Sequence, residues 1–467
     1  MQKFAERSAI YSFFTRAGSK SHFMKHITSF TVVLAFVFLF GSFKERRAFA
    51  DDSQGSTTPL DVGDFSWAPG NYAPPNSPFA TKYFTPELRL DDVVIADFNH
   101  PADHTIDGSS EEFRSDENQI TQIGVGGDFN YNNVAFRLMT QFGMYSATTP
   151  RNDASTSRGQ WDMTDAYRYI SEAYASYHID AMKGINIQAG IFMSYIGLWS
   201  YYNFDNWTYQ PSYVSSNTPW FFNGVRIQTF PTNHLKIEYW LINGWQSYGM
   251  FNEQPGVGLQ VEYRPNDAFE FIGNQYYGAD TLDTPGRQRM HSDDSIMVKY
   301  YQNERKVLSK AAFSLTADFG CEEGGGVQCG NQYFLGFMAY NRLWFHHDHY
   351  GFTFGGGAIT NPGRYLVLLP PINGATAGTG SYYFSENPGD PFNAWDMQLT
   401  GDYMPTRNVT FRIEYTYRAA NVPYFTGAGG ITPPDGNTGA PQDEVAGWTP
   451  DLVKSESIAL AAMLLRY

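Results

Sequence analysis

From about residue 121 onward the chain keeps returning to one pattern: apolar and polar side chains alternate with a period of two over stretches of about eight to thirteen residues. In 409–418 the odd positions are Val409, Phe411, Ile413, Tyr415 and Tyr417, while the even ones are Thr410, Arg412, Glu414, Thr416 and Arg418. In 307–319 the odd positions run Val307, Ser309, Ala311, Phe313, Leu315, Ala317 and Phe319, and the even ones include Lys310, Ser314, Thr316 and Asp318. The same alternation marks 121–131, 134–144, 185–191, 225–229, 235–241, 257–264 and 396–403. A period of two means strands with one apolar and one polar face. Their length is the constraint: soluble sheets average about five or six residues per strand, and a tilted membrane-crossing strand needs about nine to eleven.

The links sharpen the reading. Short ones at Asn132-Asn133, Thr232-Asn233, Pro265 to Ala268, Glu304-Arg305 and Thr406 to Asn408 alternate with long polar ones at 99–117, 146–166, 193–219, 245–256, 278–292, 358–393 and 420–454. In all we read seven short and eight long links, hence sixteen strands. Tight turns at one end and long loops at the other are the arrangement of an outer-membrane barrel. The expected fold is therefore all-β: a transmembrane antiparallel up-and-down β-barrel of about 16 strands, within a range of 12–18. Closing strand 455–467 ends on an aromatic, Tyr467, suited to the membrane interface. A soluble β-sandwich or β-helix would also alternate, but it explains neither the strand length nor the short–long linkage.

The first fifty residues read as an address. Ser29 to Phe43 form an apolar run too short for a comfortable membrane helix, Lys25 precedes it, and Ala48-Phe49-Ala50 gives a small-x-small cleavage signature. We expect a signal peptide over 1–50, with Met24 an alternative start. Lys44, Glu45, Arg46 and Arg47 keep a stop-transfer anchor open as the competing reading. Residues 51–90, rich in Pro, Gly and Ser, are expected to be a flexible periplasmic segment before a barrel at 91–467. Trp67, Tyr72 and Phe79 would instead let it tuck into the lumen as a plug.

Composition agrees. Aromatic and charged residues each make up 17%, with 44 glycines, whereas a soluble domain carries about a quarter charged residues. The first fifty residues hold eight basic and two acidic side chains, so the remainder carries a net charge near −21. That excludes a nucleic-acid partner, which requires clustered Lys and Arg.

If the apolar face meets lipid, the other face supplies candidate pore-lining residues: Arg137, Arg226, Lys236, Glu238, Glu262, Arg264, Glu270, Lys299, Lys310, Asp318, Asp396, Asp402, Arg412, Glu414 and Arg418. A sixteen-stranded barrel is wide enough for these charges to stay hydrated or to pair across the wall, and charged ladders set the field that a solute feels. As a group they favour a wet lumen over a packed one, although lumen polarity alone is a general barrel requirement. The loop 193–219 carries Tyr195, Trp199, Tyr201, Tyr202, Phe204, Trp207, Tyr209 and Tyr213. Folded inward it would form a constriction able to stack on sugar rings, with Tyr195, Trp199, Tyr201, Tyr202 and Trp207 as its contacts. The alternative is an external loop resting on the rim or on lipopolysaccharide.

Cys321 and Cys329 stand close together in one link of an exported chain, so a disulfide is expected. His346-His347-Asp348-His349 has the residues of a metal cluster but falls on a tight turn, and we expect no metal and no other cofactor. Gly355-Gly356-Gly357 reads as strand or loop glycine, not a phosphate loop. No Gly-x-Ser-x-Gly elbow occurs, and no catalytic residue is singled out.

Four short motifs in order resemble a family: Ala189-Gly190-Ile191-Phe192, Tyr195-Ile196-Gly197, Trp220-Phe221-Phe222-Asn223-Gly224-Val225-Arg226 and Asn243-Gly244-Trp245 are similar to the β-barrel porin-2 (OmpL-like) proteins, loosely from about residue 90 to the C-terminus. The resemblance implies an outer-membrane barrel with pore activity and brings neither a substrate nor catalytic residues. The expectation is a porin, not an enzyme, that passes small polar solutes or ions by passive diffusion in the outer membrane of a Gram-negative bacterium. The alternative is a non-conducting adhesin or substrate receptor working through its long loops. Expected partners are outer-membrane lipid and lipopolysaccharide, the barrel-assembly machinery, the small polar solutes and, by analogy of architecture, two further copies in a homotrimer.

Overall fold

The computed structural model describes residues 59–70, 77–109, 112–150, 153, 155, 158–281, 283–362, 391–431 and 451–467. The expected signal peptide, Tyr72 and much of the loops 358–393 and 420–454 lie outside the described residues.

Among the described residues eighteen strands are formed: β1 (Phe84–Asp97), β2 (Glu117–Tyr131), β3 (Val134–Thr140), β4 (Ile170–Ile179), β5 (Ile185–Met193), β6 (Phe221–Thr232), β7 (Leu235–Ile242), β8 (Gly256–Asn266), β9 (Phe269–Gly278), β10 (Gln288–Gln302), β11 (Leu308–Glu323), β12 (Tyr333–Phe345), β13 (Tyr350–Asn361), β14 (Phe392–Thr406), β15 (Val409–Ala420), β16 (Phe425–Thr426), β17 (Leu452–Val453) and β18 (Ser455–Arg466). Sixteen of them, β1 to β15 and β18, close into one antiparallel barrel, and β16–β17 make a separate two-stranded ribbon. Closure runs through nine residue pairs between β1 and β18, from Arg89↔Arg466 to Asp97↔Ile458. The closed cylinder leaves no sheet edge with unpaired backbone, which lipid demands.

Seven short and eight long links join the strands, as the linkage pattern predicts. The short turns use chain suited to them: Asn132 takes φ 51° between β2 and β3, and His346, His347 and Asp348 all sit at positive φ between β12 and β13. The histidine run is thus a turn, closed by His349 Nδ1 against the carbonyl of His346 at 2.8 Å. Gly355, Gly356 and Gly357 lie in strand β13.

The outward face is apolar, with Leu335, Phe337, Phe352, Phe354 and Ile413 all exposed. Tyr131, Tyr177, Tyr263, Tyr300, Tyr350 and Tyr403 stand exposed near the short-turn ends and form an aromatic girdle. Tyr467 joins this rim, its N–H bonded to the Leu88 carbonyl at 2.9 Å.

Three expectations need correction. The barrel begins at Phe84, not at residue 91. Residues 59–70 are not a free lead-in, because Phe65 and Trp67 are buried in the same apolar cluster as Trp199 and Trp207. Phe79 stays exposed. Strict alternation in 307–319 also fails at one point. A bulge between Leu308 and Lys310 turns both Ser309 and Lys310 inward, so Ser309 is buried on the lumen side.

Candidate functional site

The lumen is built around one segment. Residues 194–220, between β5 and β6, fold into the barrel and not over its rim. Apolar burial alone would not hold a loop there, since its backbone groups still need partners. The wall supplies them. Arg412 donates from its guanidinium to the carbonyls of Thr208 (2.9 Å), Asn206 (2.8 Å) and Asn203 (3.2 Å). Glu414 accepts from the N–H groups of Tyr209 at 2.6 Å and Gln210 at 2.7 Å. Asp396 accepts from the Ser212 hydroxyl and the Tyr213 N–H, both at 2.8 Å, and Arg418 donates to Gln210 at 2.7 Å. The loop also reaches β1 and β4: Tyr209 OH donates to Asp91 at 2.8 Å, Tyr202 OH to Glu172 at 2.8 Å, and Asp205 pairs with Arg89 at 3.0 Å. Arg342 of β12 donates to the Trp207 carbonyl at 3.2 Å, and since β12 and β4 stand eight strands apart in the ring the loop is tied to opposite walls.

Glycines make the docking floor. Positions 351, 353, 355, 357, 359 and 361 of β13 face inward, and three of them are glycine. A Cβ on Gly357 would run into Ser212 Oγ, and one on Gly336 of β12 would crowd Val214 at 3.1 Å, so these strands let the short helix Tyr213–Ser216 lie close to the wall.

Thirteen of the fifteen candidate wall charges find ionic or loop partners, the exceptions being Arg226 and Asp318. Arg412 and Arg342 both pair with Asp402 at 2.7 Å. Lys236 meets Glu262 at 2.6 Å and Glu238 at 3.1 Å, and Arg264 meets Glu262 at 2.9 Å and Glu270 at 2.7 Å. Arg137 bonds Glu172 at 2.9 Å and Asp128 at 3.0 Å. Lys299 pairs with Asp267, Lys310 with Asp348, and Asp318 lies 2.7 Å from His291. Arg226 differs: it bonds Gln188 at 2.6 Å and lies over the Phe192 and Trp240 rings. All fifteen face the interior and most are buried, and of the two alternatives, hydrated or paired, most of them take the second. A charge removed from water is stable here only because its counter-charge came with it.

Of the five named aromatics, Tyr195, Trp199, Tyr201, Tyr202 and Trp207 are all buried inside the barrel. Tyr195 stacks on Trp240 with ring centroids 4.7 Å apart, and Trp199 meets Tyr340 edge-on at 5.0 Å. Trp207 donates to the Trp67 carbonyl at 2.9 Å, which fixes the lead-in segment to the loop. Burial raises the phenols of Tyr202, Tyr209 and Tyr213 well above their ordinary value. Sequence reasoning missed Arg89, Asp91, Glu172, Asp205 and Arg342, although Arg89, Asp91 and Arg342 sit at alternating positions that a strict face assignment would have found.

A cavity of about 410 Å³ remains. Its wall side carries Asp128, Arg137, Glu172, Lys236, Glu262 and Glu270 from β2, β3, β4, β7, β8 and β9. Its loop side carries Tyr195, Trp199, Tyr201, Tyr202 and Trp220, with Pro69 and Gly70 of the lead-in.

Loops 98–116 and 421–431 meet at the other end of the molecule. The Ile431 N–H donates to Asp103 at 2.7 Å, the Asn99 side chain donates to the Thr426 carbonyl at 3.0 Å, and the Thr426 hydroxyl donates to Asp107. Burial lifts the Asp107 carboxyl to about 7, and neighbouring Asp103 and Asp97 push the same way against the bonds from Thr426. Cys321 and Cys329 are joined as a disulfide, Cα to Cα 5.0 Å, beside the tip between β11 and β12.

A closed antiparallel barrel with an apolar outer band, an aromatic girdle and a charged interior crossed by one loop defines a transmembrane β-barrel of the outer-membrane type. Residues 87–440 match the family described as putative beta-barrel porin-2, OmpL-like, and the chain belongs to that family of the outer membrane. Among solved structures it is similar to OmpT of Vibrio cholerae (10% identity, 82% of this chain and 97% of that one, TM-score 0.45). It is similar also to an anion-selective porin from Comamonas acidovorans (9%, 82% and 99%, 0.46) and to OprB of Pseudomonas putida (10%, 83% and 94%, 0.45). No curated protein matches the chain.

Proposed function

We propose that this protein is a porin that passes small polar solutes or ions by passive diffusion. The observation that carries the reading is the 410 Å³ cavity between the inward loop and the charged wall of β2–β9, bounded by paired charges on one side and by aromatic and hydroxyl groups on the other. Wall charges held in salt bridges give a fixed field without collapsing on a passing solute. The reading includes export through a cleaved N-terminal signal and assembly as a homo-oligomer, a trimer by architecture; no catalytic step is part of it.

One observation favours the rival, a closed binding protein: the loop and residues 65–68 pack tightly against the remaining lumen. Single-channel recording of the purified protein in a planar bilayer separates the two. Reproducible open steps support the pore, and a folded, heat-modifiable barrel that stays silent overturns it.

A further inference from the structure

We infer that the open sector of the lumen favours small cations over anions, an inference that rests on the pore reading. The wall side of the cavity presents four carboxylates, Asp128, Glu172, Glu262 and Glu270, against Arg137 and Lys236, and Arg264 beside it bonds Glu262 at 2.9 Å and Glu270 at 2.7 Å, so the excess of negative charge lies with Asp128 and Glu172 about Arg137. Neither cation stands alone toward the lumen. Arg137 is held by Glu172 at 2.9 Å and Asp128 at 3.0 Å, and Lys236 by Glu262 at 2.6 Å and Glu238 at 3.1 Å. An anion entering would meet guanidinium and ammonium groups already matched, and would have to displace a carboxylate fixed in the wall.

The loop side reinforces the bias. The residues it gives to the cavity include no Lys or Arg, and it offers Tyr and Trp rings, whose faces attract cations through their quadrupoles. Three further arginines are out of reach. Arg412 is committed to Asp402 and three loop carbonyls, Arg342 to Asp402 and the Trp207 carbonyl, and Arg418 to Gln210 and the Asp107 carbonyl. The arginines of the far wall hold the loop in place, and Lys236 and Arg264 match the carboxylates of β8 and β9, so the field in the free space is set by Asp128 of β2 and Glu172 of β4.

The test is the reversal potential of the protein in a planar bilayer across a KCl gradient. A K⁺ over Cl⁻ permeability ratio of about five is expected, the order that one unit charge at contact distance sets in water. The double variant Asp128→Asn with Glu172→Gln should bring the ratio close to one. Should that variant fail to fold, Asp128→Asn alone serves, because the Asp128 side chain is 39% exposed and its loss leaves Glu172 on Arg137; it should lower the ratio by a smaller step. A wild-type ratio at or below one overturns the inference and leaves the pore intact. A ratio above one that neither variant moves overturns the assignment to this sector. A folded protein that never conducts overturns the pore reading, and the selectivity falls with it.

Discussion

Two sectors of the same lumen treat their charges differently. Along β12, β14 and β15, wall side chains reach inward to backbone groups of the loop: Arg342, Asp396, Arg412, Glu414 and Arg418 each bond a residue between 203 and 213. Along β7, β8 and β9, Lys236, Glu238, Glu262, Arg264 and Glu270 bond one another along the wall, and a cavity stands in front of them. Both sectors obey the rule that a buried charge must be matched. They differ in where the match comes from. Matching by a loop fills the lumen, whereas matching within the wall leaves it free. The floor explains part of the choice, since β13 turns glycines inward where the loop docks.

The sharpest way to break this contrast is Arg412→Ala. It removes the donors to three loop carbonyls and leaves Asp402 with Arg342 alone, so it should cost about 3–5 kcal/mol, read by urea unfolding of the refolded barrel. Conductance should rise as the loop loosens; unchanged stability would show that the loop is held elsewhere.

Replacing both Cys321 and Cys329 by Ser tests a region outside either sector. Opening a loop of separation 8 should cost about 2–3 kcal/mol and should speed proteolysis at the tip between β11 and β12, with single-channel steps unaltered. A changed conductance would tie that tip to the lumen.

The clasp between loops 98–116 and 421–431 should respond to pH. Asp107 favours its protonated form when buried, so its contribution is complete below about pH 4, the value for a free Asp, and is lost as pH rises through about 7. The protection of the Ile431 and Gly430 amides against exchange, normalised to the intrinsic rate at each pH, should therefore be lower at pH 8 than at pH 5, and Asp107→Asn should abolish that difference. Equal protection at both pH values in the wild type would remove Asp107 as the cause.

The smallest effect belongs to the free sector. Asp128→Asn should cost roughly 0–1 kcal/mol, because the side chain is part-exposed and Arg137 keeps Glu172 and Glu87. A cost near that of Arg412→Ala would erase the distinction between the two sectors.

Much of this was legible in the sequence, and the reasons are physical. A pleated strand turns alternate side chains to opposite faces, so the period-two runs declared strands, their inward faces and, with the links, the number sixteen. Cys321 and Cys329 were close enough in the chain to foresee their bond. The errors arose where local pattern is not the deciding term. The bulge beside Ser309 is set by its neighbour in register, β12. The burial of Phe65 and Trp67 depends on a loop more than a hundred residues later, since it is Trp207 that bonds the Trp67 carbonyl. Arg412 and Glu414 were recognised as lumen charges, but periodicity cannot say whether such a charge meets water, a neighbouring strand or a loop. The inward glycines of β13 were the one local sign that something would dock there.

A hollow cylinder of sheet is stiff along its strands and soft in cross-section: squeezed from the side, it flattens. Here the loop is fastened to β12 through Arg342 and, eight strands away around the ring of sixteen, to β4 through Glu172. It therefore acts as a spoke, stretched when the tube ovalises one way and compressed when it ovalises the other. Lateral pressure from the bilayer is carried across the lumen as well as around the wall, and the bore is held nearest to round at the level of the loop.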